Sequence, residues 1–228
     1  MLELIDATKT YTQGRRTVTA VRGVSLTVRG GEYVTIMGPS GSGKSTLMHL
    51  MGALDTPSGG RAVFQGQDLQ TLSDRQRSLL RRDCIGFVFQ AFNLLPTLTA
   101  AENVALPLLL GGTNRRAALD RGRECLDKMN MAHRADHFPD EMSGGEMQRV
   151  AVARALVADP EAVLCDEPTG NLDTATSREI LTLLAALPEP GKRAVVMVTH
   201  DTTAASYGTR LVKIRDGLIE SDEAVRRN

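Results

Sequence analysis

With 228 residues, 27 basic and 27 acidic, the chain fits one large domain or one domain with an inserted lobe, and it carries no net charge. That balance excludes the electrostatic footprint of a protein that tracks nucleic-acid phosphates, so no nucleic-acid partner is expected. Three scattered cysteines, Cys84, Cys125 and Cys165, form no disulfide framework and no zinc spacing and read as reduced thiols.

The opening Met1-Leu2-Glu3-Leu4 lacks the basic head and apolar run of a signal peptide. The most apolar stretch, Val104 to Leu110, is shorter than a bilayer span and holds Pro107. The chain is therefore expected to be neither secreted nor membrane-spanning, and any membrane attachment needs another subunit. In chain order, short apolar runs predict strands over Leu2 to Tyr11, Val18 to Val21, Val24 to Val28 and Tyr33 to Met37. From Gly43 the period turns helical, with Leu47, Leu50, Met51 and Leu54 at helix spacing. A strand over Arg61 to Phe64 precedes a Ser73/Gln76 capping box that opens a charged helix through Arg82, and Ile85 to Phe89 reads as another strand. Residues 91 to 158 read as mostly helical, over Ala101 to Leu109, Asn114 to Met129 and Ser143 to Val157. Strands and helices then alternate: Ala162 to Cys165, Thr174 to Leu187, Ala194 to Thr199 and Thr202 to Tyr207. Asp216-Gly217 marks a hairpin turn between Leu211 to Ile214 and Leu218 to Glu220. The pattern predicts an α/β core with a helical insertion and an antiparallel β lobe.

Three segments carry chemistry. Gly38-Pro39-Ser40-Gly41-Ser42-Gly43-Lys44-Ser45 matches the phosphate-loop pattern between a predicted strand and a predicted helix. Its glycines let backbone N–H groups point at phosphate oxygens, and the helix start adds a positive end. Lys44 is expected at the β- and γ-phosphates, Ser45 on Mg²⁺, and Thr46 near the α-phosphate. Ala162 to Cys165 is an apolar run ending in Asp166-Glu167, which delivers two carboxylates at a strand tip. Asp166 is expected to hold Mg²⁺, and Glu167 to polarise an attacking water. The third segment, Ser143-Gly144-Gly145-Glu146-Met147-Gln148-Arg149, combines a capping box with two glycines in the first helical turn. Open N–H groups there make a second anion-binding helix start, which suggests that two subunits share each nucleotide.

With these motifs in this order, the chain resembles the ABC-transporter nucleotide-binding domain family over essentially its whole length. The resemblance implies a P-loop NTPase core, mainly a parallel sheet with flanking helices, plus an antiparallel β lobe and an inserted α-helical subdomain. It also implies a single domain over 1–228, with the core and β lobe at 1–90 and 159–228 and the helical subdomain at about 91–158. By resemblance, Ser143, Gly144 and Gly145 complete the ATP site of the opposite protomer, and Asp173, in Asn171-Leu172-Asp173, communicates across the dimer. Gln90 links Mg²⁺ and the attacking water to the transmembrane interface, His200 contacts the γ-phosphate, and Tyr11 stacks on adenine. Met142 stands where many relatives have Leu, and Met147 where Gln or Lys is commoner; neither change removes a phosphate ligand.

Phe92-Asn93-Leu94-Leu95-Pro96, with Ala101-Glu102-Asn103-Val104, resembles the branch that includes the MacB, LolD and FtsE ATPases. That branch implies ATP and Mg²⁺ as cofactors, a homodimer in the ATP-bound state, and separate transmembrane permease subunits with extracytoplasmic domains. It places the chain at the cytoplasmic face of the inner membrane, held through those subunits. Three roles stay open here: an export or extraction ATPase, an FtsE-like regulator of cell-wall hydrolysis without transport, and a soluble ABC ATPase acting on DNA or ribosomes. The last is disfavoured because the sequence has no coiled-coil insertion between the phosphate loop and Ser143, no tandem second cassette and no basic excess. Phe92, Leu94 and Leu95 read equally as contacts to a membrane partner and as packing of the helical lobe.

Overall fold

In the computed structural model, which describes residues 1–14 and 16–225, the strand-forming runs assemble into two sheets. The smaller is wholly antiparallel, in the order β2-β1-β4-β5. It is built from β1 (Leu2–Gln13), β2 (Arg16–Val28), β4 (Gly59–Phe64) and β5 (Gln67–Asp68). The larger contains β3 (Tyr33–Met37), β6 (Ile85–Phe89), β7 (Ala162–Asp166), β8 (Ala194–Thr199), β9 (Arg210–Arg215) and β10 (Leu218–Ala224). Its order is β10-β9-β3-β8-β7-β6, parallel throughout except for the terminal β9–β10 hairpin.

The central strands are apolar on both faces because each face meets a core of its own. Val34, Ile36, Leu164, Val196 and Val198 point into one core, shared with α1 (Lys44–Met51) and the inner face of the small sheet through Leu2, Leu4 and Phe64. Their neighbours Tyr33, Val163, Cys165, Val195 and Met197 point into the other. That second core takes in α3 (Ala100–Leu110), α4 (Arg115–Lys128), α5 (Gly144–Leu156) and α6 (Thr174–Ala185). This is strand alternation with period two, and each fully buried Leu, Ile or Val contributes about 1.5–3 kcal/mol of transfer free energy. Cys165 lies inside, and burial pushes its thiol far above the ordinary range, leaving it unreactive.

Local signals explain most element ends. α2 (Asp74–Cys84) starts at the Ser73/Gln76 capping box, and α3 at a second box formed by Thr99 and Glu102. Asp216 and Gly217 both adopt positive φ, at 49° and 78°, the geometry of a tight hairpin turn. Some expectations are corrected. Val18 to Val21 and Val24 to Val28 are one strand, which passes Gly23 at a φ of 76°. α1 stops at Met51, because Gly52 caps it, and Leu54 lies beyond the helix and exposed. The helix expected over Thr202 to Tyr207 is only α7 (Thr202–Ala205). Asn114 caps α4 with its side chain rather than belonging to it.

Among the described residues, no helix is long and apolar enough to cross a membrane.

Candidate nucleotide site

Sheet register brings the singled-out residues to one edge. Phe89 pairs with Asp166, Asp166 with Val198, and Met37 with Thr199. Gln90, Glu167, Gly38 and His200 each follow one of these ladder positions, so all four emerge beyond the carboxyl ends of adjacent parallel strands. That edge is where open α/β sheets bind ligands.

The phosphate loop is shaped by its own contacts. Lys44 Nζ, largely buried, donates to the carbonyls of Gly38 at 2.8 Å and Pro39 at 2.9 Å, folding the loop around the ammonium. Gly43 has φ of 100°, and a Cβ there would stand 2.3 Å from the Ala20 carbonyl, so only glycine fits. The loop leans on other parts of the chain: Gly217 N–H donates to the Ser42 carbonyl at 3.0 Å, and Arg22 N–H to the Gly217 carbonyl at 2.9 Å. Gly43 leaves α1 without a side-chain cap, so its first N–H groups remain available to an anion. Ser40 and Gly41 sit exposed at the loop tip, and Thr46 follows Ser45 in the first turn of α1.

Ser45 Oγ donates to Asp166 Oδ1 at 3.1 Å. Burial pushes the Asp166 carboxyl above its ordinary value and the charge of Glu167 adds to this, while Ser45, His49 and Lys44 oppose it. A hydroxyl beside a carboxylate that is costly to ionise unaccompanied is an all-oxygen donor set suited to a hard divalent cation. Next along the chain, Glu167 holds a left-handed backbone with φ of 44°, and its N–H donates to the Val198 carbonyl at 3.0 Å. Such strain persists where the surroundings over-determine it, as functional sites do. The conformation carries its Oε1 to 2.9 Å from His200 Nδ1. A carboxylate and an imidazole in contact at the strand edge can orient and deprotonate a water. Both line an open cleft of about 590 Å³ together with Thr169, Gly170 and Asp201.

Gln90 Nε2 donates to Asn171 Oδ1 at 3.1 Å, and Asn171 Nδ2 returns a bond to the Gln90 carbonyl at 3.0 Å. In this conformation the Gln90 amide is therefore engaged with Asn171 rather than with Ser45 or Asp166. Asp173 is a helix cap: its carboxylate accepts from the N–H groups of Ala175 and Thr176, each at 3.0 Å, and from Thr176 Oγ1 at 2.6 Å. Tyr11, whose hydroxyl is also in hydrogen-bond contact with Thr46 of α1, is 42 % exposed. Its hydroxyl donates to Asp55 Oδ2 at 2.9 Å, and Lys9 Nζ, itself bonded to Asp55, lies 5.1 Å from its ring centre. Burial, with the Asp55 carboxylate, raises the Tyr11 hydroxyl above its usual pKa. The Lys9–Asp55 pair around the ring escaped sequence reasoning, because no local spacing links residues so far apart.

The α5 start is the expected capping box. Ser143 Oγ accepts from Glu146 N–H at 3.3 Å and Glu146 Oε2 accepts from Ser143 N–H at 2.8 Å, while Arg134 Nε donates to Glu146 Oε1 at 2.8 Å. These bonds, the Ser143 N–H first among them, hold the Glu146 carboxyl below its ordinary value. Gly145 has a packing reason that the sequence did not reveal: a Cβ there would meet Thr176 Cγ2 of α6 at 2.4 Å. Gly144 has room by comparison, with Leu172 Cδ2 3.4 Å and the Asn171 carbonyl oxygen 4.0 Å from its notional Cβ.

Comparisons with known proteins agree with this geometry. The family model described as ABC transporter matches residues 21–170. The chain is 46% identical over 222 residues to the lipoprotein-releasing system ATP-binding protein LolD of Geobacter metallireducens, covering 97% of this chain and 99% of that one. It is also 46% identical over 225 residues to the macrolide export ATP-binding/permease protein MacB of Chlorobaculum tepidum, covering 97% of this chain but 34% of that protein, so it spans about a third of MacB. Among solved structures, the dimeric post-hydrolysis state of the MJ0796 cassette bound to ADP and Pi superposes with a TM-score of 0.91 at 43% identity, covering 100% of both chains. MJ0796 is an ABC transporter ATP-binding protein of Methanocaldococcus jannaschii. The chain thus belongs to the ABC transporter family, as one of its ATP-binding, ATP-hydrolysing cassettes.

Proposed function

We propose that this cassette drives separate membrane-spanning permease subunits, which bear extracytoplasmic domains, through ATP-dependent dimerisation at the cytoplasmic face of the membrane. The observation that carries the reading is the convergence of Ser45–Asp166 and Glu167–His200 at the mouth of the Lys44 loop. On this reading each ATP lies between two protomers. The loop amides from Gly38 to Gly43, with Lys44, Ser45 and Thr46, hold its phosphates, and Tyr11 stacks on its base. Ser143, Gly144 and Gly145 of the other protomer close the site, and Asp173 lies at the same interface. Ser45 and Asp166, with Gln90 once released from Asn171, would hold Mg²⁺, which supplies charge neutralisation to the departing phosphates. Glu167 takes a proton from the attacking water while His200 orients the carboxylate and meets the γ-phosphate. An export or extraction role is supported by relatives that bear the names MacB and LolD.

The test is light scattering on Glu167→Gln protein with ATP in the absence of Mg²⁺. ATP should convert monomer to dimer, and turnover should fall on the order of 10²-fold or more as the general base is lost. A variant that binds ATP and yet hydrolyses at the wild-type rate would overturn the assignment of Glu167.

A further inference from the structure

Gln148 lies wholly buried in the second turn of α5, yet it is an amide among apolar neighbours. Its Nε2 donates to the Pro168 carbonyl at 2.5 Å and faces the Phe89 carbonyl at 3.4 Å. Two carbonyls demand a donor, so the amide orientation is fixed by chemistry. The other end, Oε1, has no donor among the described residues. A methionine of the same length would remove the unpaired Oε1 but would take from the Pro168 carbonyl its donor, so satisfaction of buried polar atoms is roughly even between the two residues. What the amide adds is the pair of contacts.

Those contacts touch the residue before Gln90 and the residue after Glu167. Phe89 ends β6, and Pro168 follows the strained Glu167 beyond β7. One turn and a half further along α5, Arg154 donates to the Phe92 carbonyl at 2.8 Å and to the Asn93 carbonyl at 2.5 Å. Phe92 and Asn93 are both left-handed, with φ of 58° and 52°, a conformation that needs such outside support. The helix that begins at Ser143 therefore grips the segment after β6 at both ends, and grips the Glu167 loop through the same amide.

We propose that Gln148 is a positioning residue. Its amide ties the α5 helix to the two loops carrying Gln90 and Glu167 of its own protomer, so that seating Ser143 on a nucleotide sets the catalytic geometry on the other side of the helix. The inference rests on the proposed roles of Glu167 and Gln90.

The test is Gln148→Met, measured for ATP affinity, melting temperature and steady-state turnover beside wild type and Glu167→Gln. ATP affinity should stay within about twofold and the melting temperature should shift by no more than about 4 °C, because one orphaned oxygen replaces another, with kcat down on the order of ten- to a hundredfold. The Glu167→Gln/Gln148→Met double variant should turn over no more slowly than Glu167→Gln alone. Wild-type kcat in Gln148→Met overturns the proposal, as does a loss of affinity and melting temperature in parallel with kcat, which is the mark of a packing role. If Gln148→Met does not fold, Gln148→Glu keeps the length and replaces the donor by an acceptor; a loss of kcat at retained affinity supports the proposal, and wild-type kcat overturns it. A fully active Glu167→Gln would instead sink the site reading itself, whatever Gln148 does.

Discussion

The chain begins two helices on glycine-rich turns, α1 after Gly38 to Gly43 and α5 at Ser143 to Gly145, and the two starts are built oppositely. The α1 start has no side-chain cap and spends Lys44 on its own carbonyls, so the loop is formed before any ligand arrives. At α5 the Ser143 hydroxyl and the Glu146 carboxylate are already bonded to each other's backbone, and Arg134 anchors the latter. A complete cradle can bind a polyphosphate alone. A start whose cap is satisfied internally offers less, and contributes only when a ligand is delivered to it by something else. The difference fits a site in which one protomer binds and the other closes.

Ser143→Arg tests that division most severely. Bulk and charge at the α5 start should lower turnover on the order of 10²-fold, while a fluorescent nucleotide still titrates onto the mutant's own phosphate loop. Wild-type hydrolysis in that protein would erase the distinction between the two starts. Gly145→Ala comes next. Its new methyl meets Thr176, and urea unfolding should show a loss of about 1–3 kcal/mol from overpacking. Thr176→Ser in the same chain removes the offending methyl but keeps the hydroxyl bonded to Asp173, and should restore most of that loss; no recovery would mean that Gly145 serves some other purpose. The smallest effect is a pH dependence. Glu146 is held below its ordinary pKa, so the unfolded chain binds more protons as the solution turns acid. Its contribution is fully present above the ordinary carboxylate range, about 4.3, and drains away as pH falls through the depressed native value. Melting curves of Glu146→Gln should therefore fall less steeply with acid than those of wild type between about pH 5 and 3. Identical slopes would remove the capping carboxylate from the account.

The α1 start was also the more legible of the two in the sequence. Its glycines and its Lys-Ser pair sit within eight residues, and the flanking strand and helix came out at Tyr33–Met37 and Lys44–Met51. The alternation of strands and helices carried the α/β class, because the central strands are apolar on both faces and hence read as continuous runs. What stayed hidden was contact between distant segments. Gly145 looked like an opening for an anion, and its tight approach to Thr176 depends on how α5 crosses α6. Asp173 looked like an interface residue, and in the folded chain it also caps α6. The bond between Gln90 and Asn171, 81 positions apart, has no trace in local pattern. Strand ends were misjudged where backbone freedom decides, as at Gly23, because hydropathy runs end at a glycine while the ladder goes on.

The brace between Gly217 and Ser42 bears on how the protein is made. The phosphate loop is encoded within the first fifth of the chain, yet one of the bonds that holds it comes from a hairpin turn near the other end, which also anchors Arg22 of β2. A ribosome releases the loop long before it releases that turn, and domains complete only when their distant partners emerge. The nascent chain thus displays its nucleotide motif well before the turn that braces it, so the cradle is complete only once Gly217 has emerged and folded back onto Ser42.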